Sequence, residues 1–258
     1  MRLSANLGFL WRELPLPDAI RAAAAAGFGA VECHFPFDFP PAVLRFALAD
    51  SGIPMLVLNT RPGDPVAGDF GVCAVPGRED EAQAAIDEAI AYASAIKCQA
   101  VHVMAGKTDG SAKAERSFRR NLDHACAHGA GAGLRILIEP INTIDVPGYH
   151  LSSMDRAADI VKALGHNNLR ILADCYHLQR MGVDPVSEIR RHLPLIGHIQ
   201  IAAAPDRGEP DRGEIDYRVV AAALRDMGYG GYLGAEYRPR GTTEDGLGWM
   251  TIFRSGRP

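Results

Sequence analysis

Four oxygen-bearing side chains stand where apolar runs end in the second half of the chain. Glu139 follows LRILI, Asp174 follows LRILA, Gln200 lies within HIQIA and Glu236 follows YLGA. If those runs are neighbouring strands of a closed parallel barrel, their C-terminal ends converge on one mouth and bring distant residues together. Carboxylates crowded in a low-dielectric site repel one another strongly unless a cation or a proton intervenes. A bound divalent metal resolves that repulsion. An all-oxygen set of Glu139, Asp174, Gln200 and Glu236 predicts Mg²⁺ or Mn²⁺ rather than zinc, which prefers sulfur and imidazole. Taken singly, each carboxylate reads equally well as a helix cap or the partner of a surface arginine; the shared register of all four favours the metal.

Other residues supply candidate contacts to a substrate. His177, three residues beyond Asp174 in DCYHLQ, is expected to project from the loop above the metal as a hydrogen-bond donor. His102 and His198 lie within strand-like runs, where a satisfied interior histidine competes with a direct role. Asp145 follows Glu139 by six and reads chiefly as a turn residue. If the substrate is an acid, Arg207 and Arg238 are the nearest candidates for a bidentate carboxylate clamp, with Arg61 a third. The run 241–248 (GTTEDGLG) is too irregular for a phosphate loop.

These residues need a frame that repeats. Strand-like runs at 2–6, 29–33, 55–59, 100–104, 134–138, 169–173, 196–201 and 232–235 alternate with helix-like segments. Those segments fall at 18–26, 42–50, 79–96, within 112–129, and at 153–164, 184–192 and 216–227, before a Gly-rich tail containing Trp249. Eight units in about 250 residues predict an α/β fold, a (β/α)8 TIM barrel. The rival, a doubly wound open sheet, calls for a Gly-rich phosphate loop after the first strand, which LSANLG does not supply. The longer loops at 61–78 and 202–213 sit inside the alternation, so residues 1–258 read as a single domain.

Composition narrows the function classes. Among 258 residues, Lys plus Arg is 27 and Asp plus Glu is 31, a net charge of −4 that opposes a nucleic-acid partner. Hydrophobic residues at 47% and charged residues at 22% describe a globular chain. No run approaches the about eighteen unbroken apolar residues of a membrane helix, and residues 1–10 lack a leader pattern. Cys33, Cys73, Cys98, Cys126 and Cys175 include no C-x-x-C pair, which predicts reduced thiols and a cytoplasmic location. A homo-oligomer is compatible with a barrel of this size, although no isologous patch is legible.

With the residues set out, a resemblance is visible. IEPINT at 138–143, DCYHLQ at 174–179, GHIQIA at 197–202, GEIDY at 213–217 and EYRPRGTTEDGLGW at 236–249 resemble the hydroxypyruvate isomerase family. That family includes the 2-oxo-tetronate isomerases and belongs to the xylose-isomerase-like barrels. The likeness extends through AGDFGVCAVPGRED at 67–80 and covers nearly the whole chain. The resemblance implies an isomerase of a small hydroxy-keto acid, interconverting hydroxypyruvate and tartronate semialdehyde or a near relative. It also implies that Glu139 and Glu236 transfer the proton, with Asp174 and Gln200 completing the metal site. Related sugar epimerases usually carry histidine where Gln200 stands, which favours the hydroxypyruvate branch. Two departures fall in loops expected to roof the substrate: Thr60–Pro65 replaces a Leu-Pro-Ala-Gly-Asp-Trp-like stretch, and Gly208 stands where histidine is usual.

Moving a proton between adjacent carbons passes through an enediolate, which calls for a base, an acid and a cation. The expectation is that each glutamate binds the metal through one oxygen and keeps the other for proton transfer. A ketose 3-epimerase, an apurinic-site endonuclease of the same superfamily and a non-catalytic sugar-acid binder are the competing readings.

Overall fold

A computed structural model describes residues 1–254. Eight strands are present: β1 Arg2–Asn6, β2 Ala30–Glu32, β3 Val57–Asn59, β4 Ala100–His102, β5 Arg135–Ile138, β6 Leu169–Asp174, β7 Ile196–Ile201 and β8 Tyr232–Ala235. The helices between and after them are α1 Leu16–Ala25, α2 Pro41–Ser51, α3 Glu79–Ile96, α4 Ala112–Gly131, α5 Met154–Leu164, α6 Cys175–Arg180, α7 Pro185–His192, α8 Tyr217–Asp226 and α9 Thr251–Arg254. Every strand pair is parallel, in the order β2-β1-β8-β7-β6-β5-β4-β3. A parallel bridge between Val31 and Met55 joins the two ends of that order and closes the barrel. The predicted (β/α)8 architecture is the observed one.

Local chemistry sets the element boundaries. Ser111 and Ser153 cap α4 and α5, each hydroxyl accepting an N–H of the first turn, from Ala114 at 3.3 Å and Arg156 at 3.4 Å. Gly165 ends α5 in the left-handed conformation at φ 68°. Along α5 the buried residues Met154, Ala157, Ala158 and Val161 recur at helical spacing and pack on the barrel. The strands themselves are buried on both faces, as a sheet jacketed by helices requires.

The differences from expectation have identifiable causes. β4 stops at His102 because the Met104 N–H turns to the Thr60 hydroxyl at 3.1 Å instead of a neighbouring strand. β3 begins at Val57, two residues later than expected, because Met55 and Leu56 pair across the closing seam with Val31. The Gly-rich tail is not featureless: a 3₁₀ segment at Glu244–Met250 leads into α9, and Trp249 is 1% exposed with its indole N–H donated to the Tyr237 hydroxyl at 3.1 Å. The largest surprise is α6, a short helix where a loop was expected.

Candidate active site

The register places the predicted oxygen ligands side by side. Asp174 is paired with Gln200 across β6 and β7, and Gln200 with Gly234 across β7 and β8. Glu236 lies just past the end of β8, its N–H held by the Ile201 carbonyl, and Glu139 just past β5. All four side chains are buried, between 0% and 7% exposed, at the C-terminal end of the barrel. A cavity of about 660 Å³ opens over Glu139 and Glu236 and is walled by Phe9, Phe70 and Tyr176.

The two glutamates have opposite surroundings. Glu236 is fully partnered: Oε1 accepts from Asn6 Nδ2 at 2.9 Å and lies 2.9 Å from His34 Nε2, while Oε2 accepts from Arg207 Nη2 at 2.5 Å. Burial pushes its pKa upward, but Arg207 and His34 outweigh burial and bring it to about 2. Glu139 has no such support. Its Oε1 is buried without a hydrogen-bond partner, and His102 Nδ1 stands 3.6 Å from Oε2. Burial above all, with Glu236 and Asp174 adding repulsion, holds the Glu139 carboxyl well above the usual range. Asp174 lies between these extremes, raised by burial to about 7 against the pull of Arg207.

Asp174 also explains α6. Its Oδ1 accepts the Tyr176 N–H at 2.9 Å and so caps the helix that starts immediately after the strand. His177 therefore sits in the first turn of α6, 3% exposed, and not on a projecting loop as expected. Asn142 Nδ2 donates to His177 Nδ1 at 2.6 Å, which leaves the proton on Nε2, facing Glu139 Oε1 at 3.6 Å and Asp174 Oδ2 at 3.8 Å. Burial first, then Arg207, keeps this imidazole neutral, with a pKa near about 3, and burial lowers His102 to about 4. Asp145 does more than turn the chain: its carboxylate accepts from Asn142 at 3.0 Å and from the Tyr176 hydroxyl at 2.5 Å, tying the loop after β5 to α6.

Beneath the mouth lies a second polar layer. Glu32 on β2 accepts from Ser4 at 2.5 Å and lies 2.8 Å from His198 Nε2 through one oxygen; the other accepts from Gln200 Nε2 at 2.9 Å. Its carboxylate lies so close to β8 that a Cβ at Gly234 would stand 2.3 Å from Oε1, which restricts that position to glycine. The bond to Glu32 fixes the Gln200 amide and leaves its Oε1 buried without a partner. Orphaned buried oxygens on Glu139 and Gln200, beside two further carboxylates, suit a hard divalent cation. Glu139, Asp174 and His177 also offer ligand atoms within 4.8 Å of one another.

The arginines divide. Arg207, expected to clamp a substrate, is 15% exposed by side chain and spends its guanidinium on Glu236 and, at 3.4 Å, on Asp174. The rings of Phe9 and Tyr176 flank it at 4.9 Å. Its backbone is held at φ 56° by bonds from its N–H to Ala203 and from Arg238 to its carbonyl. Arg238 lines the cavity with its guanidinium 5.9 Å from the Phe9 ring, and among the described residues no carboxylate takes it. Arg61 is outside the site altogether, paired with Glu88 at 2.7 Å and stacked on Phe37. Of the sequence departures, Pro62 and Pro65 line the cavity, whereas Gly208 abuts Arg240, whose Nε and Nη2 lie 3.2 Å from where a Cβ would stand.

Asn6, His34 and Glu32 were not anticipated. All three sit at the ends of β1 and β2, where the rule applied to the last four strands would have found them.

The profile of the xylose isomerase-like TIM barrel matches residues 20–252. A 2-oxo-tetronate isomerase from Cupriavidus necator is 42% identical over 255 residues, covering 98% of both chains. The hydroxypyruvate isomerase of Escherichia coli is 36% identical over 257 residues, covering 98% of this chain and all of that one. Among solved structures, a Brucella melitensis protein described as an AP endonuclease, family 2, superposes with a TM-score of 0.93 at 38% identity, covering 98% of each chain.

Proposed function

The chain belongs to the xylose isomerase-like TIM-barrel family, and from that premise we propose that it is an isomerase of small hydroxy-keto acids, acting on hydroxypyruvate. The observation that carries this reading is the unequal pair of buried glutamates facing one cavity, in a chain similar over its full length to enzymes of that name. Glu139, Asp174, Gln200 and Glu236 would hold a divalent cation, Mg²⁺ or Mn²⁺. When bound, it would supply positive charge against the negative charge that develops on the substrate's adjacent oxygens.

Converting hydroxypyruvate to tartronate semialdehyde removes a proton from C3 and returns one to C2, while a hydroxyl proton passes from O3 to O2. Glu236, kept ionised by Arg207 and His34, takes the carbon-bound proton. Glu139, with one oxygen free of partners, returns a proton to the neighbouring carbon. His177 donates a hydrogen bond from its Nε2–H to a substrate oxygen, and His102 borders the same space. Arg238 meets the substrate carboxylate at the rim, while Arg207 positions Glu236. Phe9, Phe70 and Tyr176 exclude water from the reacting carbons.

A cavity of about 660 Å³ is roomy for a three-carbon acid, which favours 2-oxo-tetronate as a second substrate. The net charge of −4 opposes strand cleavage of nucleic acid. Five unpaired, buried thiols fit a reducing compartment such as the cytoplasm, and no described helix is long and apolar enough to cross a membrane.

The test is proton NMR of the purified protein with Mg²⁺ and hydroxypyruvate in D₂O. Deuterium entering carbon-bound positions as the aldehyde appears is the expected result. Glu139→Gln and Glu236→Gln that both keep near-wild-type exchange overturn the proton-pair assignment.

A further inference from the structure

Away from the mouth, the seam between α3 and α4 carries polar contacts on successive turns. Ser117 donates to Glu79 at 2.6 Å, and Gln83 donates to Asn121 at 3.3 Å. The next rung is different in kind: Asp87 of α3 faces His124 and His128, which stand four residues apart on one face of α4. Nε2 of His124 lies 2.8 Å and Nδ1 of His128 3.0 Å from the same oxygen, Oδ1 of Asp87. The two imidazoles face each other with centroids 4.0 Å apart. The three ligand atoms lie within 4.8 Å of one another.

We propose that Asp87, His124 and His128 form a second divalent-metal site on the outer wall of the barrel, selective for an imidazole-preferring ion of the Zn²⁺ class and joining α3 to α4. Imidazole nitrogens at i and i+4 present their lone pairs to one point, and a carboxylate from the neighbouring helix closes a third side. The ion takes the place of the hydrogen bond between His124 and Asp87, and solvent fills the remaining positions. The chemistry differs from that of the mouth, where carboxylate and amide oxygens predominate and a harder ion fits. The ladder above this rung gives the site its consequence. Asn121 also donates to the Cys73 carbonyl at 2.8 Å, and Arg78, which precedes α3, pairs with Asp69 at the cavity wall. An ion clamping the two helices stiffens the wall on which the loop roofing the cavity rests.

The site is tested by equilibrium dialysis of Zn²⁺ against the full-length chain in saturating Mg²⁺, with bound zinc counted by elemental analysis. The wild type is expected to hold about one more equivalent than the double variant His124→Ala/His128→Ala, both chains keeping the same mouth. Equal zinc content in the two overturns the proposal. Asp87→Asn, an isosteric change at an exposed position, is expected to weaken that extra equivalent about tenfold. Unchanged affinity in that variant overturns the three-ligand site.

Discussion

Two layers of buried charge lie a few residues apart inside the barrel and are built in opposite ways. In the inner layer, both oxygens of Glu32 are engaged, by Ser4, His198 and Gln200, and the strand beside them is reduced to glycine at Gly234. At the mouth, Glu139 and Gln200 each keep a buried oxygen without a partner, and Glu139 is held far from its ordinary pKa. Desolvating a carboxylate costs several kcal/mol unless hydrogen bonds replace the lost water. The inner layer recovers that cost within the fold. The mouth leaves part of it outstanding, which fits the divalent cation proposed there. Burial alone therefore does not single out the mouth; what does is two orphaned oxygens beside further buried carboxylates.

Substitutions in the two layers should separate activity from stability. The largest effect is expected for Glu139→Gln, a fall in kcat of about 10³-fold with little change in melting temperature, since Glu139 has almost no hydrogen bonds to lose. Steady-state kinetics beside calorimetry measures it, and a large loss of stability would erase the contrast. Glu32→Ala is expected to do the reverse, lowering stability by about 3 kcal/mol because the three donors lose their acceptor. Urea denaturation reads that loss; normal stability with low turnover would move Glu32 into the catalytic layer. Arg238→Ala should raise KM for the acid about tenfold and leave kcat nearly unchanged, as loss of one charge-assisted contact at the rim predicts. An unchanged KM would return the carboxylate to Arg207.

The smallest effect sharpens the same contrast outside the barrel. His150 is buried, with Thr108 at 2.8 Å on one ring nitrogen and Glu115 at 3.1 Å on the other. Burial, outweighing the Glu115 contact, holds its pKa below the ordinary 6.5. Its contribution to stability is then fully present above that value and lost as pH falls through it. Between about pH 7.5 and pH 5.5, the urea midpoint should fall slightly further in the wild type than in His150→Asn. Equal slopes would mean that the imidazole does not enter the fold neutral.

Much of the frame is legible because the alternation of apolar runs and amphipathic segments has two distinct periods. α3 falls on its expected bounds, bracketed by Arg78 and Lys97, as does β8 between Gly231 and Glu236; β1 and β7 also match. α6 is not legible: CYHLQR is too short to show a helical period, and its cap, Asp174, draws attention as a carboxylate before it does as a helix start. Arg207 illustrates a second limit. Sequence places a cation near the mouth, but only the folded loop shows that the protein's own carboxylates have already claimed it. Asn6 and His34 fall under the same strand-end rule, at the end of β1 and two residues past β2, but neither is a carboxylate that draws attention by its charge.

Asp174 links these themes through its two oxygens. One caps the strand-to-helix turn and the other faces Arg207 at the mouth, so a single side chain serves the fold and, on the proposed function, the metal site. Asparagine or serine retains a helix start while removing the charge. Alanine forfeits the cap as well, at a cost of about 0.5–2 kcal/mol.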